Sequence, residues 1–464
     1  MRSDEQIETS IMSLGPAKIP SLLRTRAKGA GTGCFVSEKD RVLVNLLVDN
    51  LKKTIERGKE PLSFELAGPR SKIFFDPTKL RCAVVSCGGL CPGVNDVIRA
   101  IVLALYYNYG LRNIYGIRYG LQGFISSYGH DIMDLTPESV AHVHERGGTI
   151  LGSSRGPQDI ESIVDSIERM NVGLLFTIGG DGTMIASAKI ADEINKRGLK
   201  IGVVSIPKTI DNDIYLVDRS FGFETAVSIA VDVIGGAHNE AISAPNGVGL
   251  VKVMGRHSGF IAAAATLAMP DVNFVLIPES DFELEGPTGL LEALKERLIL
   301  RRHAVIVVAE GTGQNFFGNS EQQRDASGNI KLHDIGVFLK KAITDYSEEQ
   351  GMEINLKYID PSYTIRSASA NANDHLLCGF LARSAVHAGM AGKTKMLVAL
   401  CNNQIVHIPL EASIGKRKQV DIYGDMWMSV LETTGQSSLN NWNAGDNLQG
   451  SLRKNRDNTP LGVE

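Results

Sequence analysis

Cysteine is scarce in this chain: six in 464 residues, at Cys34, Cys82, Cys87, Cys91, Cys378 and Cys401. So few thiols in so long a chain suit reduced side chains, and Cys87 and Cys91 flank a turn without the further ligands that a structural zinc site needs. Long apolar runs are missing as well, since no stretch reaches the roughly 18 uninterrupted apolar residues of a membrane span. The opening MRSDEQIETSIMSLGPAKIP has no basic flank followed by an apolar core, and the closing LGVE is not a peroxisomal tripeptide. A cytoplasmic protein is therefore expected. Excess charge of either sign is absent too: 48 Lys and Arg against 52 Asp and Glu leave a net −4. That balance argues against broad capture of nucleic acid or an anionic membrane, so any anionic ligand must be bound locally.

What is present is ordinary globular composition, 43% apolar and 22% charged, in a chain longer than one hydrophobic core usually supports. Between about Arg81 and Ile408, short apolar runs pass repeatedly through glycines into segments with helical spacing, which is βαβ grammar. The predicted strands are Cys82–Ser86, Val172–Ile178, Ile201–Ile206, Gly247–Met254, Asn273–Ile277, Ala304–Ala309 and Met396–Cys401. One helix is predicted from Asn95 and another from GGDGT to about Asn195. Near-continuous apolar strands suit parallel sheets covered on both faces, whose ligands bind beyond the C-terminal strand ends. Residues 1–80 lack this alternation, carry the basic RTRAKGAGTG, and read as an N-terminal extension packed on the body or on a neighbour. Residues 433–464, rich in Asn, Gly and Ser, read as a flexible or extended tail. His142 and His144 are one residue apart on a predicted helix, so they fall on different faces as solvated side chains and form no metal pair.

Four motifs carry chemistry. CGGLCPGVND, Cys87 to Asp96, joins a strand to a helix, and Gly88 and Gly89 let the backbone approach an anion at a helix N-terminus. IGGDGT, Ile178 to Thr183, exposes Asp181 at a strand end where a carboxylate holds Mg²⁺, while Gly180 and Gly182 leave room for phosphates. IPKTIDND, Ile206 to Asp213, reads as an extended loop in which Asp211 and Asp213 face one pocket and Asn212 points elsewhere. One of the two carboxylates suits a general base, and the other raises its basicity by like charge. VMGRHSGF, Val253 to Phe260, sets Arg256, a planar fork for phosphate, after Gly255, and Arg155 in GTILGSSRGP is a second such fork. Further on, Glu279 ends a strand, and KYIDPSYTIR supplies Lys357, Tyr363 and Arg366, a set suited to a sugar phosphate. Gly392-Lys393-Thr394 imitates a P-loop ending, but His387 stands where that motif requires glycine and the segment follows a helix. GGDGT alone also occurs in NAD and lipid kinases; such kinases leave PKTIDND and MGR.SG unexplained.

Taken in order, GG.CPG.ND, GSSRGP, GGDGT, PKTIDND, MGR.SG, PE and Y..R closely resemble the 6-phosphofructokinases, over about residues 62–430. The wording of GTILGSSRGPQD, PKTIDND and KYIDPSY is most similar to the long branch that includes the trypanosomatid ATP-dependent enzymes. The resemblance implies an α/β fold of two lobes, with mainly parallel sheets flanked by helices and the active site between the lobes. The nucleotide lobe would be 81–222 with 365–411, and the sugar-phosphate lobe 223–364 with 412–432. It implies Mg²⁺-dependent transfer from ATP to the 1-hydroxyl of fructose 6-phosphate, in a homotetramer. Asp211 would be the general base and Asp181 the Mg²⁺-associated carboxylate. Thr209, Asp213, Arg155 and Arg256 would orient the sugar and stabilise the transferring group. Gly88, Gly89, Gly180, Gly182, Thr183 and Lys208 would line the donor site. Met254, Gly255, Arg256, Glu279, Tyr363 and Arg366 would bind the sugar phosphate, and Lys357 would reach across a subunit interface. Gly247 stands where the short bacterial enzymes carry a second interface arginine.

The donor follows from two positions. In the family an aspartate directly after GGD accompanies pyrophosphate use, by filling the space and opposing the charge of the ATP α-phosphate, and Gly182 leaves that space open. Lys208 stands where short ATP-dependent enzymes have glycine, and an ammonium about 4 Å from a phosphate charge contributes roughly 4 kcal/mol at an effective dielectric near 20, before desolvation. That lysine favours pyrophosphate. Steric exclusion is the sharper criterion, and the trypanosomatid-like enzymes pair the same glycine with lysine. ATP is the expected donor and pyrophosphate the alternative.

Overall fold

A computed structural model describes residues 7–23, 35–318, 330–437 and 439. The described residues form two compact units. The first holds those up to Ile229, residues 330–331 and Ser362–Lys418; the second holds those from Ala230 to 318, Leu332–Pro361 and those from Gln419. Apart from residues 330–331, the chain thus changes unit at 229/230, 361/362 and 418/419, beside the 222/223, 364/365 and 411/412 expected from the sequence.

In the first unit, nine strands form one sheet in the order Arg41–Leu43, Ser63–Leu66, Gln404–Pro409, Met396–Cys401, Gly202–Pro207, Leu174–Gly179, Cys82–Ser86, Ile114–Ile117, Ile132–Asp134. The five from Met396–Cys401 to Ile114–Ile117 are parallel, and the strands outside them run antiparallel. Cys82–Ser86 and Leu174–Gly179 are buried at every position, as a strand covered on both faces must be, and each fully buried Val, Leu or Ile side chain contributes about 1.5–3 kcal/mol. Helices Ile160–Arg169 and Asp181–Lys196 pack into the same core cluster as these strands. Val94–Leu103 and Ala372–Met390 pack against each other, the latter also against Gly202–Pro207.

Register is what positions the site. Ser86 lies opposite Ile178, Ile178 opposite Ile206 and Gly179 opposite Pro207, so three strands end level. Moreover, Cys82–Ser86 leads next to Ile114–Ile117 on one side, and the chain then returns to Leu174–Gly179 on the other. Such a reversal opens a crevice at the C-terminal strand ends.

The second unit has four parallel strands in the order Phe274–Leu276, His303–Ala309, Gly247–Val253, Asn355–Ile359. Leu290–Arg301 and Ile335–Glu349 share a core cluster with alternate residues of the central strands. The chain is thus α/β with mainly parallel sheets, as its sequence led us to expect.

Several expectations are corrected. Of the two packings expected for the N-terminal extension it takes the one on the body, inside the sheet itself: Arg41–Leu43 and Ser63–Leu66 extend it, and helix Val48–Glu56 lies between them in sequence. Alternation was hidden because these strands have only three and four residues. The stretch RTRAKGAGTG lies outside the described residues. The tail begins packed, since Gln436 Oε1 accepts from Val275 N–H at 2.7 Å and buried Leu439 accepts from Glu283 N–H at 2.9 Å. Residues 440–464 lie outside the described set. His142 and His144 sit on no α-helix; Val143–Glu145 is a single 3₁₀ turn, His142 pairs with Glu145, and His144 is half-buried. Val172 precedes its strand because its N–H still closes the previous helix on Ile167 O at 3.0 Å.

Candidate active site

The three level strand ends of the first unit release three loops side by side. The first turns at Gly88, with φ +86°, and enters helix Val94–Leu103 at Gly93, with φ +97°. A Cβ on Gly93 would stand 2.6 Å from Cys378 Sγ, so only glycine fits there. The loop is held from behind. Ser153 Oγ donates to Gly88 O at 2.6 Å, Gly88 N–H donates to Ser154 O at 3.1 Å, and Lys208 Nζ donates to Gly89 O at 2.7 Å. Arg155 lies against the same turn, its Nη2 3.0 Å from where a Gly89 Cβ would be. Capturing both carbonyls points the opposite ends of those peptides, their N–H groups, away from Ser153 and Lys208.

The second loop is Gly179–Asp181. Asp181 opens helix Asp181–Lys196, where negative charge is favoured. Gly179 is required by Thr183, whose Oγ1 would be 2.1 Å from a Cβ there, and Gly180 approaches Lys208 O at 3.2 Å in the same sense. Around Gly182 a Cβ would meet nothing within 4 Å. Burial raises the Asp181 carboxyl above its usual range and Asp213 adds to this, while Arg417 opposes them.

The third loop is not extended. Asn212 adopts φ +56°, and residues 210 and 211 form a turn. Asn212 does point away from the carboxylates, its Oδ1 accepting from Ser220 N–H at 3.0 Å. Thr209 Oγ1 sits in the turn's centre, donating to Asp213 Oδ1 at 3.0 Å and accepting from Asp211 N–H at 3.2 Å. The turn therefore ties the Asp213 carboxylate to the Asp211 backbone through a hydroxyl pivot, in place of the expected strand alternation.

Lys208 is buried, its charge disfavoured chiefly by that burial and further by Arg155 and Arg366 nearby. Arg366 closes the short helix Ser362–Arg366, on which Tyr363 is 83% exposed. Arg417, which the sequence reading missed, joins the second loop to the third: its guanidinium contacts Asp181 Oδ2 at 2.8 Å and Asp213 Oδ2 at 2.6 Å. Its sole local signal was the basic triplet Lys416-Arg417-Lys418, which reads as a solvated charge run.

The second unit carries its own cluster. Gly255, with φ +130°, lies where a Cβ would stand 2.4 Å from Ser258 O, and Arg256 follows it. Met254 is fully buried, so only its backbone can face a ligand. Both Glu279 oxygens accept from Gly259 N–H at 3.0 Å, and Oε1 also accepts from Val420 N–H at 2.8 Å. Burial raises this carboxyl's pKa and those amides oppose the rise. Lys357 is exposed on the edge strand Asn355–Ile359. Gly247 admits no side chain, since a Cβ would stand 2.0 Å from Ala241 O.

One carboxylate beside open glycine space fits Mg²⁺, which takes one or two carboxylates and completes its shell with phosphate oxygens and water. Among the described residues no group of three His, Cys, Asp or Glu could hold a metal alone. No helix among them is long and apolar enough to cross a membrane.

The family model described as Phosphofructokinase matches residues 81–389. The ATP-dependent 6-phosphofructokinase of Borreliella burgdorferi is 48% identical over 441 residues, 93% of this chain and 98% of that protein. The ATP-dependent 6-phosphofructokinase of Trypanosoma cruzi is 45% identical over 377 residues, 81% of this chain and 77% of its own. Among solved structures, a pyrophosphate-dependent phosphofructokinase from Marinobacter aquaeolei aligns with a TM-score of 0.62 over 79% of this chain and 94% of that one, at 20% identity, a likeness of fold alone.

Proposed function

The chain belongs to the phosphofructokinase family, and on that premise we propose that it is an ATP-dependent 6-phosphofructokinase, which transfers the terminal phosphoryl group of ATP to the 1-hydroxyl of fructose 6-phosphate. The observation that carries this reading is the meeting of Asp181 and Asp213 on Arg417, with Thr209 tying Asp213 to the turn that carries Asp211, beside a glycine-lined loop whose carbonyls are tied back. A plain turn has no need of three acids on two level strand ends.

In this mechanism Asp211 accepts the proton of the 1-hydroxyl as the new O–P bond forms and the bridging O–P bond of the donor breaks. Arg155 and Arg256 neutralise the equatorial oxygens, and no covalent phosphoenzyme is required. Asp181 would hold Mg²⁺, which would supply charge neutralisation on the donor's phosphates. Thr209 and Asp213 fix the turn that aims Asp211. Gly88, Gly89, Gly180, Gly182 and Thr183 receive the donor. Gly255, Arg256, Glu279, Tyr363 and Arg366 receive the sugar phosphate, with Met254 contributing backbone. Lys357 serves the site of a neighbouring copy in a homotetramer.

Two observations bear on the donor. Space beside Gly182 is open, and Lys208 Nζ is committed to Gly89 O, which weakens the case for a lysine that selects pyrophosphate by direct attraction. The test is a coupled assay with fructose 6-phosphate and either MgATP or magnesium pyrophosphate. Turnover with ATP is expected; turnover with pyrophosphate alone overturns the donor, and turnover with neither overturns the reaction. NAD and diacylglycerol are expected to give no product as acceptors.

A further inference from the structure

Arg417 has no part in the chemistry above, yet its guanidinium is the charge on which two active-site carboxylates meet. Its backbone is laced to the acidic turn. Ile214 and Arg417 form an antiparallel bridge, Lys418 N–H donates to Asp213 O at 2.8 Å, and Lys418 Nζ donates to Val217 O and Asp218 O, both at 2.8 Å. Ser413 Oγ adds a bond to Tyr215 O at 2.9 Å. The main chain is thus pinned, while the side chain keeps 35% exposure beside an Asp181 that keeps 23% and an Asp213 that keeps 6%.

We infer that Arg417 is an internal counter-ion for the donor's divalent cation: it neutralises Asp181 and Asp213 when no metal–nucleotide is bound, and yields Asp181, keeping Asp213, when one arrives. The inference rests on the Mg²⁺–ATP reading above. Two carboxylates sharing a site repel unless a cation stands between them, and a guanidinium, always charged and forked, spans two acceptors as an ammonium does not. A divalent cation and a guanidinium cannot lean on the same Asp181 oxygen without bringing like charges together. Asp213 is the partner that keeps the arginine, because it is the deeper of the two and the contact is the shorter. Asp181, at a helix N-terminus with open space beside Gly182, is the partner that has room for a cation and its phosphates. The nucleotide-free protein is thereby protected from capturing a bare divalent ion on paired acids.

The test uses Mn²⁺ as probe, titrated into full-length protein free of nucleotide and sugar, with unbound Mn²⁺ read by electron paramagnetic resonance. Wild type is expected to bind weakly and Arg417→Met about tenfold or more tightly. The gain is expected to vanish in Arg417→Met with Asp181→Asn, and Arg417→Lys, which keeps the charge without the fork, should bind Mn²⁺ less tightly than Arg417→Met. Arg417→Gln, which retains donors without charge, gives the same reading by a second route, and circular dichroism with a thermal melt certifies the fold of each variant. A folded neutral variant with unchanged Mn²⁺ affinity overturns the inference, as does a gain that survives Asp181→Asn. Failure of the kinase reading would show separately, as a silent coupled assay with the Mn²⁺ result intact.

Discussion

Two places in the first unit where a carboxylate is buried against cations differ in how many partners each acid has. At the antiparallel edge of the sheet, Glu65 meets Arg70 Nη2 at 2.6 Å, His407 Nδ1 at 3.2 Å and Lys393 Nζ at 3.2 Å, and Lys393 continues to Glu38 at 2.7 Å. At the strand ends, Asp181 has Arg417 as its ion-pair partner and Asp213 beside it as a like charge. Burial pushes both acids toward the neutral form. For Glu65 it is outweighed by the hydrogen bond and charge of His407, with Lys393 and Arg70, which take the carboxyl down to about 2. For Asp181 burial prevails and the shift is upward. Saturated with donors, Glu65 ties the N-terminal strands to the body. Less fully satisfied, Asp181 stays available for exchange. It also follows that Lys393, the residue imitating a P-loop lysine, serves structure.

The largest effect should come from breaking the closed cluster. Glu65→Gln leaves Arg70 buried without its acid and Lys393 with Glu38 alone, and a loss of about 3–5 kcal/mol is expected, read as a lower unfolding midpoint in denaturant. Turnover in the still-folded fraction should be unchanged, since the substitution lies away from the strand ends. The open cluster answers in the reverse way. Asp211→Ser is expected to cut turnover at least ~10²-fold, about 2.7 kcal/mol, with sugar affinity and unfolding midpoint retained; near-normal turnover would refute its role as base. Smaller again, Gly182→Asp should fold normally, because its Cβ meets nothing within 4 Å. It should raise the KM for ATP about tenfold, roughly 1.4 kcal/mol, by opposing the α-phosphate. The least effect is a slope. A carboxyl depressed in the folded state contributes stability that is whole above its ordinary value of 4.5 and is lost as pH falls toward about 2. Wild type should therefore lose stability more steeply than Glu65→Gln across that window, as pH-dependent melting will show.

Much of the parallel core was legible beforehand. Cys82–Ser86 and Met396–Cys401 occur at the residues predicted, and Leu174–Gly179 and Gly202–Pro207 within two, because strands buried on both faces are written as unbroken apolar runs. The glycine-rich and acidic motifs were equally visible, being local in sequence. Less legible was the shape of the acidic loop. Alternation suggested an extended segment, whereas Asn212 at φ +56° makes a turn, since asparagine tolerates the left-handed region and its side chain is held by Ser220.

The sequence by itself determined the fold class, the strand-end placement of GGDGT and PKTIDND, and the chemistry those residue types can perform, because each follows from patterns a few residues long. Only the tertiary structure decided that Arg417 stands on Asp181 and Asp213, that Lys208 faces Gly89 O, that Glu65 finds Lys393 and His407, and that Gly247 has no room for a side chain. Most of these contacts join residues one to several hundred positions apart, and Gly247 meets the chain at a tight turn. Charge and backbone geometry carry no periodicity by which such meetings can be read along the chain.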